Sequence, residues 1–317
     1  MRRIAIAAGA LALLSLPAAA EDSFKMAIGQ INNWENQAPP LGQDAGFFKR
    51  HGIVLDNFAT AGAGETLQAV ISGSADLGGG VGVAGAMRAY SKGAPVRIIA
   101  PAFTGTGDLY WYVRADSPIK SLKDATDKNT IAYSTNGSSS NNIVVAFVDE
   151  LGAKAKPTAT GGLPATLTAV MSGQIDIGWG APPFGLKEIR DGKIRIIARG
   201  SDVPSLRDQT VRVLIANAEV LKARKDAIAR FMQAYREAVD WMYASPDAAK
   251  LFAKKTGVAE DLVRESMEKF QPKATLQTDM MADLDGAVRD AVKLKFLEAP
   301  LTKEQLADFI QIPPRAK

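Results

Sequence analysis

Few side chains in this sequence are suited to covalent chemistry. There is no cysteine and one histidine in 317 residues. That excludes thiolate nucleophiles, zinc–thiolate sites and iron–sulfur clusters, and it leaves little for a metal centre or a Ser–His triad. His51 follows Lys49-Arg50 and precedes Gly52, the pattern of a surface helix end rather than a catalytic base. Neither a catalytic residue nor a metal or cofactor site is assigned. Polar loop groups are plentiful instead. The string Asn136-Gly137-Ser138-Ser139-Ser140-Asn141-Asn142 lies between a strand-like and a helix-like segment. A helix start exposes unpaired N–H groups and the positive end of the dipole. Glycine admits a close approach and the serine hydroxyls add donors, so the string could cradle a carboxylate, sulfonate or nitrate. Ser and Asn are also the ordinary capping residues, and the residues alone leave both readings open.

Gly80-Val81-Gly82-Val83-Ala84-Gly85 matches the G-x-G-x-x-G string of dinucleotide sites. The acidic residue that should end the following strand is missing, since that strand closes on Ile99-Ala100-Pro101. We therefore read Gly80 and Val81 as a backbone loop at a strand's C-terminal end, where ligands lie in open α/β sheets. Phe103 and Thr104 follow the next strand and face the same side by topology. Trp34, beside the amide of Asn33, offers a ring face for stacking, and Trp179 with Pro182 would form the opposite wall. Beyond Arg88 and Arg114 no Arg or Lys stands in these loops, so bidentate capture of a dicarboxylate is not announced. A small organic anion with an apolar or aromatic body fits this set; sulfonates, aromatic carboxylates, nitrate and uncharged pyrimidines remain open.

The elements that would position these loops show a duplication. Thr66–Gly78 (TLQAVISGSADLG) and Thr166–Gly178 (TLTAVMSGQIDIG) are offset by 100 residues and identical at 8 of 13 positions. Each copy precedes the same apolar run, Arg97–Ala100 and Arg195–Ala198. Two copies are too few for a solenoid; they indicate two similar halves with a cleft between them, where small molecules bind. Apolar strand-like runs alternate with helical ones at Phe24–Ile28, Ile53–Phe58, Val83–Ser91, Val96–Ala100, Thr130–Tyr133, Asn141–Leu151 and Ile194–Ala198, which predicts α/β architecture with mostly parallel sheets. Crossings near Val113 and Val213 would form a two-strand hinge. Helices over Ala218–Tyr243, Pro246–Lys255, Asp261–Phe270 and Thr278–Leu294 would clasp the first lobe.

Met1–Ala20 reads as a signal peptide, with Arg2-Arg3, an apolar core too short to span a bilayer and an Ala18-Ala19-Ala20 cleavage site. Residues 21–317 are long enough for two domains with real cores. The formal charge of +4 includes Arg2 and Arg3, and with no basic run it does not indicate nucleic acid.

The order of these features resembles the substrate-binding proteins of nitrate, sulfonate, taurine and thiamine-precursor ABC importers. The residues that carry it are Asp116–Asp124 (DSPIKSLKD), Asn136–Ser139 (NGSS) and the two SG-x-x-D elements, and the likeness covers nearly the whole chain after residue 20. It implies a type II periplasmic binding fold that closes on its ligand, with lobe 1 formed by 21–113 and 213–317 and lobe 2 by 114–212. It also implies a periplasmic monomer whose partners are a small molecule and a membrane permease. The resemblance favours the anion cradle at Asn136–Ser139 and places Asp76 and Asp176 in the scaffold. An enzyme of the same fold, the thiamine pyrimidine synthase, is the alternative; it needs a cysteine-rich motif and a substrate histidine, which this chain does not supply.

Overall fold

The computed structural model describes residues 21–315; the segment read as a signal peptide lies outside them. Strands β1 (Asp22–Gly29), β2 (Ile53–Thr60), β3 (Leu77–Gly82), β4 (Val96–Thr104) and β10 (Thr210–Asn217) form one sheet in the order β2-β1-β3-β10-β4. Strand β1 runs parallel to β2 and β3, while β10 is antiparallel to β3 and β4. In the second half, β5 (Tyr110–Arg114) lies antiparallel between β8 (Gly178–Gly180) and β9 (Ile194–Arg199). Strand β6 (Thr130–Tyr133) pairs in parallel with β7 (Lys156–Ala159). A parallel bridge from Ile131 to Ile177 joins β6 to the start of β8, so the second order is β7-β6-β8-β5-β9.

The two orders are the same arrangement built twice. In each sheet the parallel strands come from one half of the chain and the single antiparallel strand arrives from the other. The crossings fall earlier in the chain than the sequence suggests. Strand β5 already pairs in the second sheet, so the chain leaves the first between Thr104 and Tyr110, not near Val113. Strand β10 already pairs in the first, so the return lies between Arg199 and Thr210. The aromatic run Tyr110–Tyr112 reads equally well as either side of a crossing; only its partners decide.

The repeat has one physical job in each half. Its helices, Ala63–Ile71 and Leu163–Met171, both 9 residues long, begin at the same offset. Thr66 Oγ1 lies 2.6 Å from Thr60 Oγ1, and Thr166 Oγ1 lies 2.6 Å from Thr160 Oγ1. Each hydroxyl also reaches the helix's own first carbonyl, of Gly62 or Gly162. Asp76 accepts the Lys25 N–H at 2.8 Å, and Asp176 accepts the Thr130 N–H at 2.8 Å, the Thr130 hydroxyl at 3.0 Å and an Asn129 amide N–H at 3.2 Å. Both aspartates therefore brace a strand start within their own half, as scaffold.

The C-terminal helices do more than clasp the first sheet. The long helical run breaks at Arg224, giving Ala218–Ala223 and Lys225–Ala244. Helix Glu260–Lys269 straddles the halves: Val263 enters the core under the first sheet, while Leu262 and Phe270 enter that of the second. Arg190 of the second half binds Asp261 and Glu265 on it at 2.6 and 3.0 Å. Helix Leu284–Lys293 reaches the second half through Lys293 and Asp149 at 2.6 Å, and a helix at Lys303–Phe309, unread in the sequence, buries Phe309 against the first sheet's outer core.

Because Asp176 accepts more hydrogen bonds than Asp76, from partly buried donors, Asp176→Ala should destabilise the fold by about 1–3 kcal/mol, the scale of lost hydrogen bonds to a charged group, and Asp76→Ala by less. Urea denaturation midpoints of the variants would check the ranking; equal losses would contradict the brace.

Candidate functional site

The polar loop after β1 is buried, which is unusual for such residues. Asn33, Trp34, Glu35, Asn36 and Gln37 are all nearly inaccessible. Trp34 anchors the loop. Its ring meets Phe252 and Tyr243 edge-on, with centroids 5.6 and 6.1 Å away. The Asn36 amide ties the loop back to the Gly29 carbonyl at 2.8 Å. Glu35 is thereby delivered into the junction between the halves.

There it meets Arg212 of β10 and Asp108 of the first crossing. Arg212 Nη2 donates to Asp108 Oδ2 at 2.5 Å, and its Nε lies 3.5 Å from Glu35 Oε1. Nη1 donates to the Ser139 hydroxyl at 3.2 Å, and the guanidinium sits 4.3 Å from the centre of the Phe103 ring. The side chains of Arg212, Glu35 and Asp108 are 5%, 3% and 0% accessible. The cluster thus joins the first half (Glu35, Phe103, Arg212), the crossing (Asp108) and the second half (Ser139).

Two carboxylates share one guanidinium. Burial pushes the Asp108 carboxyl up to about 7, with Arg212 pulling it down and the charge of Glu35 pushing it further up. Burial also raises the phenols of Tyr235 and Tyr243, helped by Glu35, so both stay neutral hydroxyls. Several buried atoms here have no partner within the protein: Glu35 Oε2, Asp108 Oδ1, Asn33 Oδ1, Thr106 Oγ1, Trp34 Nε1 and Arg212 Nε. Buried polar atoms are normally paired; here the unpartnered ones gather around one guanidinium.

Of the residues singled out in the sequence, the structure gathers Phe103 and Ser139 at Arg212, with Asn33 next to Trp34 in the buried loop. Others it places differently. Trp34 is a core ring, not an open wall; only its Nε1 is left unpaired. Val81 points into the core behind the first sheet and its backbone pairs with Val213. Gly80 has φ +71°, and a Cβ there would crowd Asn36 and the Gly29 carbonyl. Thr104 Oγ1 meets Thr210 Oγ1 at 3.2 Å, linking two strands. Trp179 lies in the second half's core, opposite Trp111. Pro182 is buried, and its carbonyl accepts a Gln271 N–H at 2.7 Å. His51 pairs with Glu237 at 2.8 Å near the surface.

The Asn136–Ser140 string is spent largely on itself. Ser138 caps helix Ser139–Leu151 by accepting the Asn141 N–H at 3.1 Å. Ser140 accepts the Ser134 N–H at 3.0 Å, and exposed Asn136 accepts the Tyr133 hydroxyl at 2.7 Å. Gly137 is a contact between the halves. A Cβ on Gly82 would fall 2.4 Å from its carbonyl oxygen and one on Gly85 2.6 Å. A surface groove of about 640 Å³ between helix Ala218–Ala223 and residues 311–314 shares no residue with the cluster.

Glu35, Asp108 and Arg212 escaped the sequence reading, although a signal existed for Arg212. It is the single charge in the apolar strand Thr210–Asn217, every residue of which is buried. A charge in such a run must have a partner, but nothing local names it.

Comparison with known proteins fits this architecture. The model of the family described as NMT1/THI5 like matches residues 40–249, well over half the chain. The chain belongs to the NMT1/THI5-like family. A search of curated proteins finds no match. Among solved structures, the alkanesulfonate-binding protein SsuA from Xanthomonas axonopodis pv. citri, bound to MOPS, is similar at 16% identity and TM-score 0.76, covering 93% of this chain and 100% of that one. The aliphatic sulphonate binding protein SsuA from Escherichia coli is similar at 18% identity and TM-score 0.68, covering 93% and 94%. The nitrate-binding protein NrtA from Synechocystis PCC 6803 is similar at 13% identity and TM-score 0.68, covering 90% and 84%. The chain has the two-lobed type II periplasmic binding fold, and the two halves are its lobes. Among the described residues no helix is long and apolar enough to cross a membrane.

Trp34→Ala should cost about 3–5 kcal/mol of stability, the scale of emptying a buried aromatic site, measurable by chemical denaturation without ligand; an unchanged midpoint would return Trp34 to an open wall. Asp108 supplies a pH test. Its carboxyl titrates near 7 in the fold against 3.8 in an unfolded chain. Between those values the fold holds a proton that the unfolded chain has lost, so this group's contribution to stability falls as pH rises from about 4 to 7. Asp108→Asn should flatten that slope in denaturation curves recorded across the range; an unaltered slope would show that Asp108 is ionised throughout.

Proposed function

We propose that the protein is the exported solute-binding component of an ABC importer, catching a small organic solute between its lobes by hinge closure and presenting the closed form to a membrane permease. Membership of the family and the shared fold support the class. The observation that carries the reading is the cluster at Arg212, where buried atoms without partners are contributed by the first lobe and the crossing while Ser139 of the second lobe closes it. A polar guest held there contacts both lobes only when they are shut, so it shifts the population toward closure. The two crossings, Gly105–Leu109 and Gly200–Gln209, are the hinge. We read Met1–Ala20 as a signal peptide cleaved after Ala20, the location as periplasmic, the working form as a monomer and the role as binding, not catalysis.

Closure on this reading requires Gly82 and Gly85 to meet Gly137 backbone to backbone. Gly85 lies in helix Val83–Ser91, where alanine is intrinsically preferred by about 1 kcal/mol. Gly85→Ala should therefore leave folding intact yet hold the lobes apart. Small-angle scattering should give the variant a larger radius of gyration than the parent, and its ligand affinity should fall at least about tenfold, the effect of a closed state made about 1.4 kcal/mol harder to reach. A variant that closes and binds like the parent would count against a closing cleft.

A further inference from the structure

We propose that the solute held at this site carries a cationic N–H group, an ammonium or amidinium, in place of the organic anion suggested by the sequence. The proposal rests on the solute-binding reading and assigns the charge of its ligand. The first ground is which donors and acceptors are free. Arg212 is engaged at both terminal nitrogens, Nη2 with Asp108 and Nη1 with Ser139, while its Nε faces Glu35 at 3.5 Å without a hydrogen bond. An anion would have to break the Asp108 bond to be gripped in the bidentate manner that makes arginine a good anion receptor. The carboxylates, in contrast, keep unpaired oxygens, Glu35 Oε2 and Asp108 Oδ1, and the neighbouring Asn33 and Thr106 each hold a buried unpartnered oxygen. Two buried donors, Arg212 Nε and Trp34 Nε1, are also unpartnered, but the acceptor-only oxygens of Glu35, Asp108 and Asn33 outnumber them, and an ammonium or amidinium brings only donors.

The second ground is charge balance. Glu35 follows β1, Asp108 stands in the crossing and Arg212 on β10. Helix Lys225–Ala244 adds only the neutral phenols of Tyr235 and Tyr243, and helix Ser139–Leu151 adds the hydroxyl of Ser139. Ionised, the cluster has a net charge of −1 from two carboxylates and one guanidinium. A buried net charge is costly unless neutralised. Without a guest, a proton on Asp108 neutralises it. A cation takes the proton's place, so binding releases that proton to solvent; an anion would deepen the imbalance unless a further proton came with it.

The test uses probes of similar size and opposite charge: benzylamine and benzamidine against benzoate and benzenesulfonate. The full-length mature protein should bind the cations at least about tenfold more tightly, the low end of coupling between desolvated charge pairs. Calorimetry near pH 7 in buffers of different ionisation enthalpy should show proton release, and affinity for the cations should rise from pH 6 to 8. Glu35→Gln and Asp108→Asn, made singly, should each reduce that preference; the calorimetry on the parent needs no variant to fold. Tighter binding of benzoate or benzenesulfonate, or proton uptake with the cations, overturns the charge assignment and leaves the solute-binding reading standing. Binding of neither class overturns the assignment for guests of this size. If the lobes also stay unmoved in scattering across a wider solute panel, the solute-binding reading falls with it.

Discussion

A guanidinium at 5% accessibility sets the terms for the rest of this molecule. Removing an ion from water costs several kcal/mol even after relaxation, so Arg212 can occupy the middle of a buried strand only if counter-charges come to it. Asp108 reaches it from the segment between β4 and β5, and Glu35 from the loop after β1. Both segments must then be shaped as they are. The loop needs Trp34 as an anchor in the apolar core to bury its polar neighbours, and the crossing must pass close to β10. Ser139 completes the guanidinium's contacts from the far lobe, which makes the electrostatic centre the place where the lobes meet.

Duplication explains how two lobes with one plan surround that centre. Each builds a parallel group of strands, braces it with an aspartate and a threonine pair at matching positions, and lends one antiparallel strand to the other. The exchange leaves two short crossings side by side, the kind of link about which lobes can rotate as bodies. Contacts that hold the lobes together run from Arg212 of β10 to Ser139 and from the helices around the sheets. Helix Glu260–Lys269 has core residues in both lobes, and Lys293 ties helix Leu284–Lys293 to Asp149. The surface ion pairs among these contacts, Lys293 with Asp149 and Arg190 with Asp261 and Glu265, are individually weak.

Glycine makes the close approach of the lobes feasible at Gly82, Gly85 and Gly137. Side chains there would hold the backbones apart, and with them Ser139 from Arg212. The string from Asn136 to Ser140 therefore contributes less as a donor array than as a thin, self-bonded edge. Its capping bonds keep the helix start rigid while Gly137 presents bare backbone to the facing lobe.

Local pattern was enough to fix the architecture. Periodicity of apolar residues, turn glycines and the repeat at a constant offset are properties of neighbouring residues, and they led to alternating strands and helices, two related lobes and the surface role of His51, while the scaffold role of Asp76 and Asp176 came from the family resemblance. The crossing points were not legible, because β5 and β10 are apolar strands whose lobe is decided by their partners. Nor was the burial of Trp34, which depends on Phe252 and Tyr243 more than 200 residues away. The centre of the site is the strongest case. Arg212 and Asp108 are 104 residues apart in sequence, and Glu35 is further still from Arg212. A charge's partner is chosen by three-dimensional proximity in a low-dielectric interior, and spacing along the chain carries no record of that choice.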